Sequence, residues 1–425
     1  MIPKIAIIGG GAGGICSALA AGKAAKSLDA SVEVHLFERN PRLGIKILIS
    51  GGGKCNITHA GSVEEVLQDG FPHIKEARFL KHAMYRFTNN DILDMLRRRG
   101  VEWYVRENGR VFPTSSRAED VLVAFEAELR EAQVVIHTKS RVESIERSDN
   151  CWLLTINDNT FEADAVILAT GGTSYRKVGT TGDGIDFAAR LGHMIVPLRA
   201  ALAPIYLKQK PHQDLVGVAI RNAVLSVTKG NRSLAQAYGD ILITHRGLSG
   251  PAALDLSREA AMHFENDLIS IHANLLNRTT EEIRALLIDE QQSGSLQHVK
   301  TWLEGLLPNA FVPYVLKQAD IPLDRKWNAL TRSERDHLTT ALTDYDFGEV
   351  SEIPIDRGEV TAGGVDLKEV DPKTMMSRLH SGLFFAGEML DIAGEIGGYN
   401  LQAAYSTGWV AGEEAVKFVV TSPVQ

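Results

Sequence analysis

The chain opens on an apolar run, Ile5-Ala6-Ile7-Ile8, that stops at glycine. A small-residue stretch of helical character follows, and then a second apolar run, Val34-His35-Leu36-Phe37. Short apolar runs bounded by glycine predict buried strands, so the opening reads as β-α-β. Residues 39–58 read as a glycine-rich loop. Over 90–99, Ile92, Leu93 and Leu96 recur at helical spacing, with Asn90 placed to cap. Ala118–Glu131 predicts a second amphipathic helix. Apolar positions alternate through 134–137, 142–145 and 151–156, as in the strands of a meander. Ala165-Val166-Ile167-Leu168-Ala169 predicts a buried strand that ends at Thr170-Gly171-Gly172. Beyond Pro197 short β-like runs dominate, among them 223–227 and 241–244. Residues 279–345 then read as short helices: Thr279 and Glu282 have capping-box spacing, and Pro308, Pro313 and Pro322 interrupt the pattern. From Ile355 the strand-and-glycine character returns through Leu383-Phe384-Phe385-Ala386-Gly387-Glu388. A last helix is expected over 401–420.

One kind of sequence therefore brackets another. The fold class is α/β: a discontinuous Rossmann-like domain, with a parallel sheet and a β-meander, over 1–195 plus 355–425. A domain over 196–354 interrupts it, β-rich in 196–276 and helical in 277–354. The 425 residues suffice for two or three domains, and 44% hydrophobic with 23% charged residues is ordinary for a soluble globular protein. No apolar run has the length of a membrane span, so no membrane partner is expected. The net charge of −8 argues against nucleic acid as the main partner, although it leaves room for a local basic patch. Arg97-Arg98-Arg99 is the densest basic run and reads as a solvated helix end. Cys16, Cys55 and Cys151 are far apart and form no C-x-x-C, so neither a metal site nor a disulfide framework is expected, and a cytoplasmic location follows.

The first strand runs into Gly9-Gly10-Gly11-Ala12-Gly13-Gly14, a G-x-G-x-x-G, and the second ends at Glu38. Strand, glycine turn, helix and acid in that order form a dinucleotide-binding fingerprint. Gly9 allows the tight turn, Gly11 lets the backbone approach a pyrophosphate at the helix N-terminus, and Gly14 lets the helix pack close to the sheet. Glu38 would accept ribose hydroxyls. So glycine-rich a start suits a phosphate turn better than a secretory signal. Gly53-Lys54 is not a P-loop, because Leu48 and Cys55 stand where Gly and Ser or Thr are required. Two further clusters, Ala169-Thr170-Gly171-Gly172 and Gly387-Glu388 with Gly397-Gly398-Tyr399-Asn400-Leu401-Gln402, also follow strand-like runs. Three such clusters point to one large cofactor.

These motifs resemble the two-dinucleotide-binding-domain flavoproteins of the glutathione-reductase type. More narrowly, Lys46-Ile47-Leu48-Ile49-Ser50-Gly51-Gly52-Gly53-Lys54-Cys55-Asn56, Thr244-His245-Arg246-Gly247-Leu248-Ser249-Gly250-Pro251 and the late glycine cluster are similar to one bacterial family. It is a family of NAD(P)/FAD-dependent oxidoreductases that includes aminoacetone oxidase-like and bile-acid reductase-like proteins. The resemblance covers essentially the whole chain. It implies FAD as cofactor and an insert with a β-barrel-like part. It also implies Gly9, Gly11, Ala12, Gly13 and Gly14 at the pyrophosphate, Glu38 at the adenosine ribose and Arg39 near the adenine. Val142 matches the position whose backbone meets the adenine. Lys46, Ser50, Gly51, Gly52, Cys55 and Asn56 would wrap the ribityl and flavin side. Ala169, Thr170 and Gly171 end a strand beside it, and Gly387, Glu388, Gly398, Asn400 and Leu401 would lie at the ribityl chain and isoalloxazine. The family has Arg where this chain has Lys46 and Lys54; the charge is kept and the bidentate contact is lost. The Thr180-Thr181-Gly182-Asp183-Gly184 segment resembles a helix-capping turn of fumarate-reductase-type flavoproteins.

His245 and Arg246 are the catalytic candidates. A His trades protons near neutral pH and an Arg holds a carboxylate or carbonyl, but the pair could equally cap a structural turn. Cys55 reads either as a redox thiol or, more simply, as a small residue packed under the cofactor. The expected function is hydride exchange between flavin N5 and a small-molecule substrate bound between the flavin domain and the insert. Two versions compete: an O2-linked amine oxidase, and a reductase with NAD(P)H as transient reductant. A flavin-dependent RNA-modifying protein and a non-catalytic flavin-binding protein are the alternatives.

Overall fold

A computed structural model of the chain describes residues 2–148, 151–265, 267–293 and 296–421. Two compact units result, one from Met1–Leu198 with Val360–Gln425 and one from Arg199–Glu359.

The first unit is built on a five-stranded sheet. Its order is Leu383–Phe385, Ala165–Leu168, Lys4–Ile8, Glu33–Phe37, Val135–His137, and every neighbouring pair is parallel. In the central strand Ile5, Ala6, Ile7 and Ile8 are all buried, as continuous apolar runs are when both faces of a parallel sheet are covered. The helix Ala12–Ser27 packs against the last helix, Tyr399–Thr421. Two glycines permit the approach: a Cβ on Gly408 would lie 2.3 Å from the Gly13 carbonyl oxygen, and one on Gly412 would lie 2.1 Å from that of Ser17.

Val135–His137 was expected in the meander and instead forms the edge of the parallel sheet, with His35 opposite Val135 and Phe37 opposite His137. A three-residue apolar run does not disclose a partner a hundred residues away. The meander itself is Val142–Arg147, Trp152–Ile156 and Asn159–Ala163, all antiparallel. The glycine-rich stretch expected as loop contains a helix, Ile45–Gly53. It breaks at Ser50 (ψ 146°) and continues through Gly51, Gly52 and Gly53, all left-handed with φ of 56°, 68° and 84°. A ribbon of Trp103–Val105 and Arg110–Pro113 pairs with Thr58–His59. Beside it lie the helices Val63–Gly70, Ile74–Arg86 and Asn89–Arg98. Thr88 rather than Asn90 caps the last of these.

The second unit is a closed six-stranded antiparallel barrel with attached helices and its own apolar core. Around the barrel run Ile205–Leu207, Gly247–Ser249, Arg232–Ile243, Ala219–Lys229, Ser270–Asn274 and Tyr345–Glu352. The last strand comes from the stretch that reads as helical, and the helix Pro251–Phe264 lies within the stretch that reads as β. Thr279 and Glu282 form the expected capping box: the Thr279 N–H donates to the Glu282 carboxylate at 2.7 Å, and the Glu282 N–H donates to the Thr279 hydroxyl at 3.2 Å.

Candidate functional site: a glycine-built dinucleotide cradle

Gly9 turns the chain off the central strand with φ 108°, and its N–H donates to the Phe37 carbonyl at 2.8 Å. A Cβ there would lie 2.4 Å from the Ala169 carbonyl oxygen. The second glycine segment is thus pressed against the first. A Cβ on Gly14 would lie 1.8 Å from the Gly9 carbonyl oxygen, so the helix can start this close only without a side chain. Gly13 faces the backbone of Ala386 and Gly387 at 3.5 Å, which brings in the third segment. Gly387 is left-handed (φ 71°) and its N–H donates to the Thr407 hydroxyl at 3.0 Å.

Gly11 differs from its neighbours. A Cβ on it would meet nothing within 4 Å. It is the N-cap of Ala12–Ser27, which has no side-chain cap and no acid in its first turn, although Ser62, Thr88, Thr279 and Thr331 all cap their helices with capping boxes. Uncapped N–H groups facing open space are the form of an anion site at a helix N-terminus. Gly52 also faces open space, and the buried Asn56 Oδ1 has no hydrogen-bond partner. Buried polar atoms are rarely left unpaired. The glycine turn and the loop at 50–56 therefore fit a group such as FAD.

Glu38 ends the second strand, and its carboxylate is buried. One oxygen accepts the Gly10 N–H and the other the Asn40 N–H, both at 2.7 Å. Each oxygen keeps a second lone pair, which suffices for ribose hydroxyls. Arg39 donates to the Thr181 hydroxyl at 2.6 Å and to Asp183 at 3.2 Å, so the 180–184 turn is fastened to the end of this strand. Gly182 caps the helix Asp183–Arg190. Val142 is buried at the start of its strand, beside Arg141, which also donates to Asp183.

One network was not foreseen. Lys46 Nζ donates to Glu388 at 2.5 Å and to the Ser174 hydroxyl at 2.9 Å. The other Glu388 oxygen accepts the Thr361 N–H at 2.9 Å and the Ser174 hydroxyl at 3.1 Å. The Thr361 hydroxyl in turn accepts the Thr173 and Ser174 N–H groups at 2.8 and 3.0 Å. Four distant segments are tied at one point. The available signal is a fourth glycine cluster, Thr361-Ala362-Gly363-Gly364, inside the strand Val360–Val365, whose glycines have φ of 86° and 126°.

Other sequence candidates have local duties. Asn400 is spent on its own loop, accepting the Gly394 N–H and donating to the Gly394 carbonyl, each at 2.8 Å. Gly398 lies against the Thr58 backbone, 2.6 Å from where a Cβ would be, and Leu401 packs on the core. Ser50 donates to the Ile47 carbonyl at 2.7 Å, and its backbone carbonyl accepts the Cys55 N–H at 3.0 Å. Cys55 is fully buried and left-handed (φ 59°), and burial pushes its thiol up to about 12. It is packed and stays protonated at neutral pH. Thr170 donates to the Met389 sulfur at 3.4 Å, and Gly171 is left-handed (φ 77°). His245 and Arg246 lie in the other unit, on the hairpin between two barrel strands, and both are exposed. Arg246 donates to Glu352 at 2.7 Å and lies 3.9 Å over the Tyr206 ring. Thr244 and Gly247 close the hairpin, with the Thr244 N–H on the Gly247 carbonyl at 2.7 Å. The described residues hold no cluster of three metal-ligating side chains and no helix long and apolar enough to cross a membrane.

An all-parallel sheet whose strand ends converge as glycine turns on one uncapped helix defines the FAD-binding Rossmann class of flavin-dependent oxidoreductases. The chain belongs to the HI0933-like protein Rossmann domain family, whose model matches residues 3–414. It is 30% identical over 424 residues to a 3-dehydro-bile acid delta(4,6)-reductase of Clostridium scindens, covering 97% of this chain and 99% of that one. It is 31% identical over 414 residues to a ribosomal RNA dihydrouridine synthase of Escherichia coli, covering 96% and 97%. A second such synthase, from Haemophilus influenzae, is 32% identical over 409 residues, covering 95% and 96%. Among solved structures, a variant of the E. coli quinol fumarate reductase FrdA shares the fold, with a TM-score of 0.50 at 15% identity, covering 100% of this chain and 72% of that one.

Proposed function

We propose that this chain is an FAD-dependent reductase that saturates a carbon–carbon double bond conjugated to a carbonyl. The observation that carries the reading is the chemistry common to the relatives' names. A delta(4,6) bond beside the 3-oxo group of a bile acid and the 5,6 bond of uracil beside its 4-oxo group pose one problem. In each, the carbonyl makes a distal carbon electrophilic enough to accept hydride. FAD, when bound, supplies that hydride, and NAD(P)H is the reductant we assign to it. The chain's part is to hold and orient. The free N–H groups at Gly11–Gly14 take the diphosphate, Glu38 takes the ribose, and the 50–56 loop with Gly387–Glu388 flanks the flavin end. The Lys46–Ser174–Thr361–Glu388 network keeps those segments in register.

His245 is the proton donor in this reading, because its exposed ring is hydrogen-bonded to no described residue, whereas Arg246 is engaged by Glu352 and Tyr206. His245→Ala should lower kcat by about a hundred-fold, the lower end for a lost general acid. An unchanged kcat would leave the pair as a turn cap. The reaction is tested by anaerobic mixing with NADPH or NADH, followed by an enone steroid or a uridine-containing RNA. The flavin band should bleach with the nicotinamide and return with the unsaturated carbonyl. Return with O2 alone would replace this reading with the oxidase. Two relatives named for RNA favour uracil over a sterol as the substrate's unsaturated ring.

A further inference from the structure

Part of the first unit is opposite in charge to the chain as a whole. Residues 75–117 hold ten Lys or Arg against five Asp or Glu, in a chain of net charge −8. Two of these cations, Arg106 and Arg110, lie on the ribbon of Trp103–Val105 and Arg110–Pro113 and its turn. Tyr104 is directly opposite Phe112, and the Arg106 N–H donates to the Arg110 carbonyl at 2.9 Å. Alternation along strands puts Tyr104, Arg106, Arg110 and Phe112 on one face. The Arg106 guanidinium lies 4.0 Å over the Phe112 ring, and Tyr104 and Phe112 stack at 6.2 Å. The Arg106 guanidinium also hydrogen-bonds the Tyr104 hydroxyl and lowers its pKa, with a smaller lowering from the charge of Lys54, exposed on the glycine loop. Among the described residues no carboxylate is within ion-pair distance of Lys54, Arg106 or Arg110. Lys75 and Arg86 of the same unit are by contrast paired, with Asp391 and Glu413.

We propose that this ribbon face is the docking surface for a single strand of RNA. Two unpaired cations side by side across the hairpin match neighbouring phosphates, and the exposed Tyr104 ring offers a base a stacking platform. An acid with one carboxylate would need only one of them. The position also fits. Phe112 is 3.0 Å from where a Cβ on Gly51 would lie, and His59, opposite Arg110, stacks on Tyr399 at 4.5 Å. A strand laid along the ribbon therefore runs beside both glycine segments assigned to the flavin end. The choice of RNA rests on the uracil form of the reading above.

The experiment measures binding of a labelled uridine-rich single-stranded RNA to the flavin-loaded protein by fluorescence anisotropy across a salt titration. Arg106→Ala with Arg110→Ala should weaken binding about ten-fold and make the salt slope shallower by about 1.4, since each single-strand phosphate contact carries about 0.7. Tyr104→Leu should weaken binding about ten-fold with the slope unchanged, as lost stacking does. Lys210→Ala with Arg232→Ala, an equal loss of exposed charge on the other unit, should change neither. Flavin absorbance and Tm establish that each variant is folded. Equal losses in both double variants, or displacement of RNA by NADPH with the ribbon substitutions weakening only NADPH, would overturn the proposal. No turnover is measured, so a failure to reduce any substrate strikes the proposed reaction and leaves the docking surface standing.

Discussion

Two glycines five and two residues into the same motif make opposite demands. Gly14 is crowded by the Gly9 carbonyl oxygen and Gly11 faces open space. Gly14→Ala should therefore destabilise the protein by about 1–3 kcal/mol, the usual cost of overpacking, with a lower Tm by calorimetry. Gly11→Ala should leave the Tm of flavin-free protein unchanged while weakening FAD, read as flavin retained on gel filtration. The thiols separate in the same way. Burial raises Cys55 to about 12 and holds Cys16 still higher, whereas Cys151 is half-buried. One thiol per folded chain should react with a disulfide reagent at neutral pH, and three after denaturation. Histidines give a pH signature. Burial lowers the pKa of His35, His137 and His193 below 6.5. The unfolded chain then binds more protons than the folded one below about pH 6.5, so stability is full above that value and falls as pH drops towards the folded pKa values. A Tm that stayed flat from pH 7 to 5 would contradict this.

At the scale of elements, the helices Ala12–Ser27 and Tyr399–Thr421 form one structural pair through Gly408 and Gly412. Gly412→Ala should cost about 1–3 kcal/mol and release flavin as well, because the first helix carries the uncapped N-terminus. Loss of stability with undiminished flavin affinity would separate the two roles. Elements with local signals were readable in the sequence: the opening β-α-β, Ala118–Glu131, the strand Ala165–Leu168 and the Thr279–Glu282 cap. Those whose partners are remote were not. Val135–His137 is too short to indicate which sheet it joins. The helix at Ile45–Gly53 is hidden by its three glycines. Tyr345–Glu352 alternates Tyr345 and Phe347 with acids in a stretch dominated by helices. The Lys46–Glu388 contact unites residues that no spacing rule links. The ribbon's two arginines are inconspicuous in the sequence because they alternate with aromatics instead of clustering as Arg97-Arg98-Arg99 do.

At the scale of the molecule, each unit has its own apolar core. In the first unit the Met194 carbonyl accepts the Asp366 N–H at 3.0 Å, and a Cβ on Gly363 would lie 2.3 Å from the Pro197 carbonyl oxygen. The points where the chain leaves this unit and returns to it are therefore adjacent. Replacing 199–359 by a short Gly/Ser linker should leave a folded, yellow protein without turnover; a colourless product would assign part of the cradle to the excised unit. The sheet order has a consequence for synthesis. The strands at 4–8 and 165–168 leave the ribosome long before Leu383–Phe385, which completes the sheet, and before Tyr399–Thr421, which backs its first helix. Until then the edge of Ala165–Leu168 is unpaired and the phosphate turn lacks its third wall. Cofactor loading is therefore expected only after these segments have joined, and a nascent chain stalled before residue 383 would carry an open parallel edge of the kind that holdase chaperones protect.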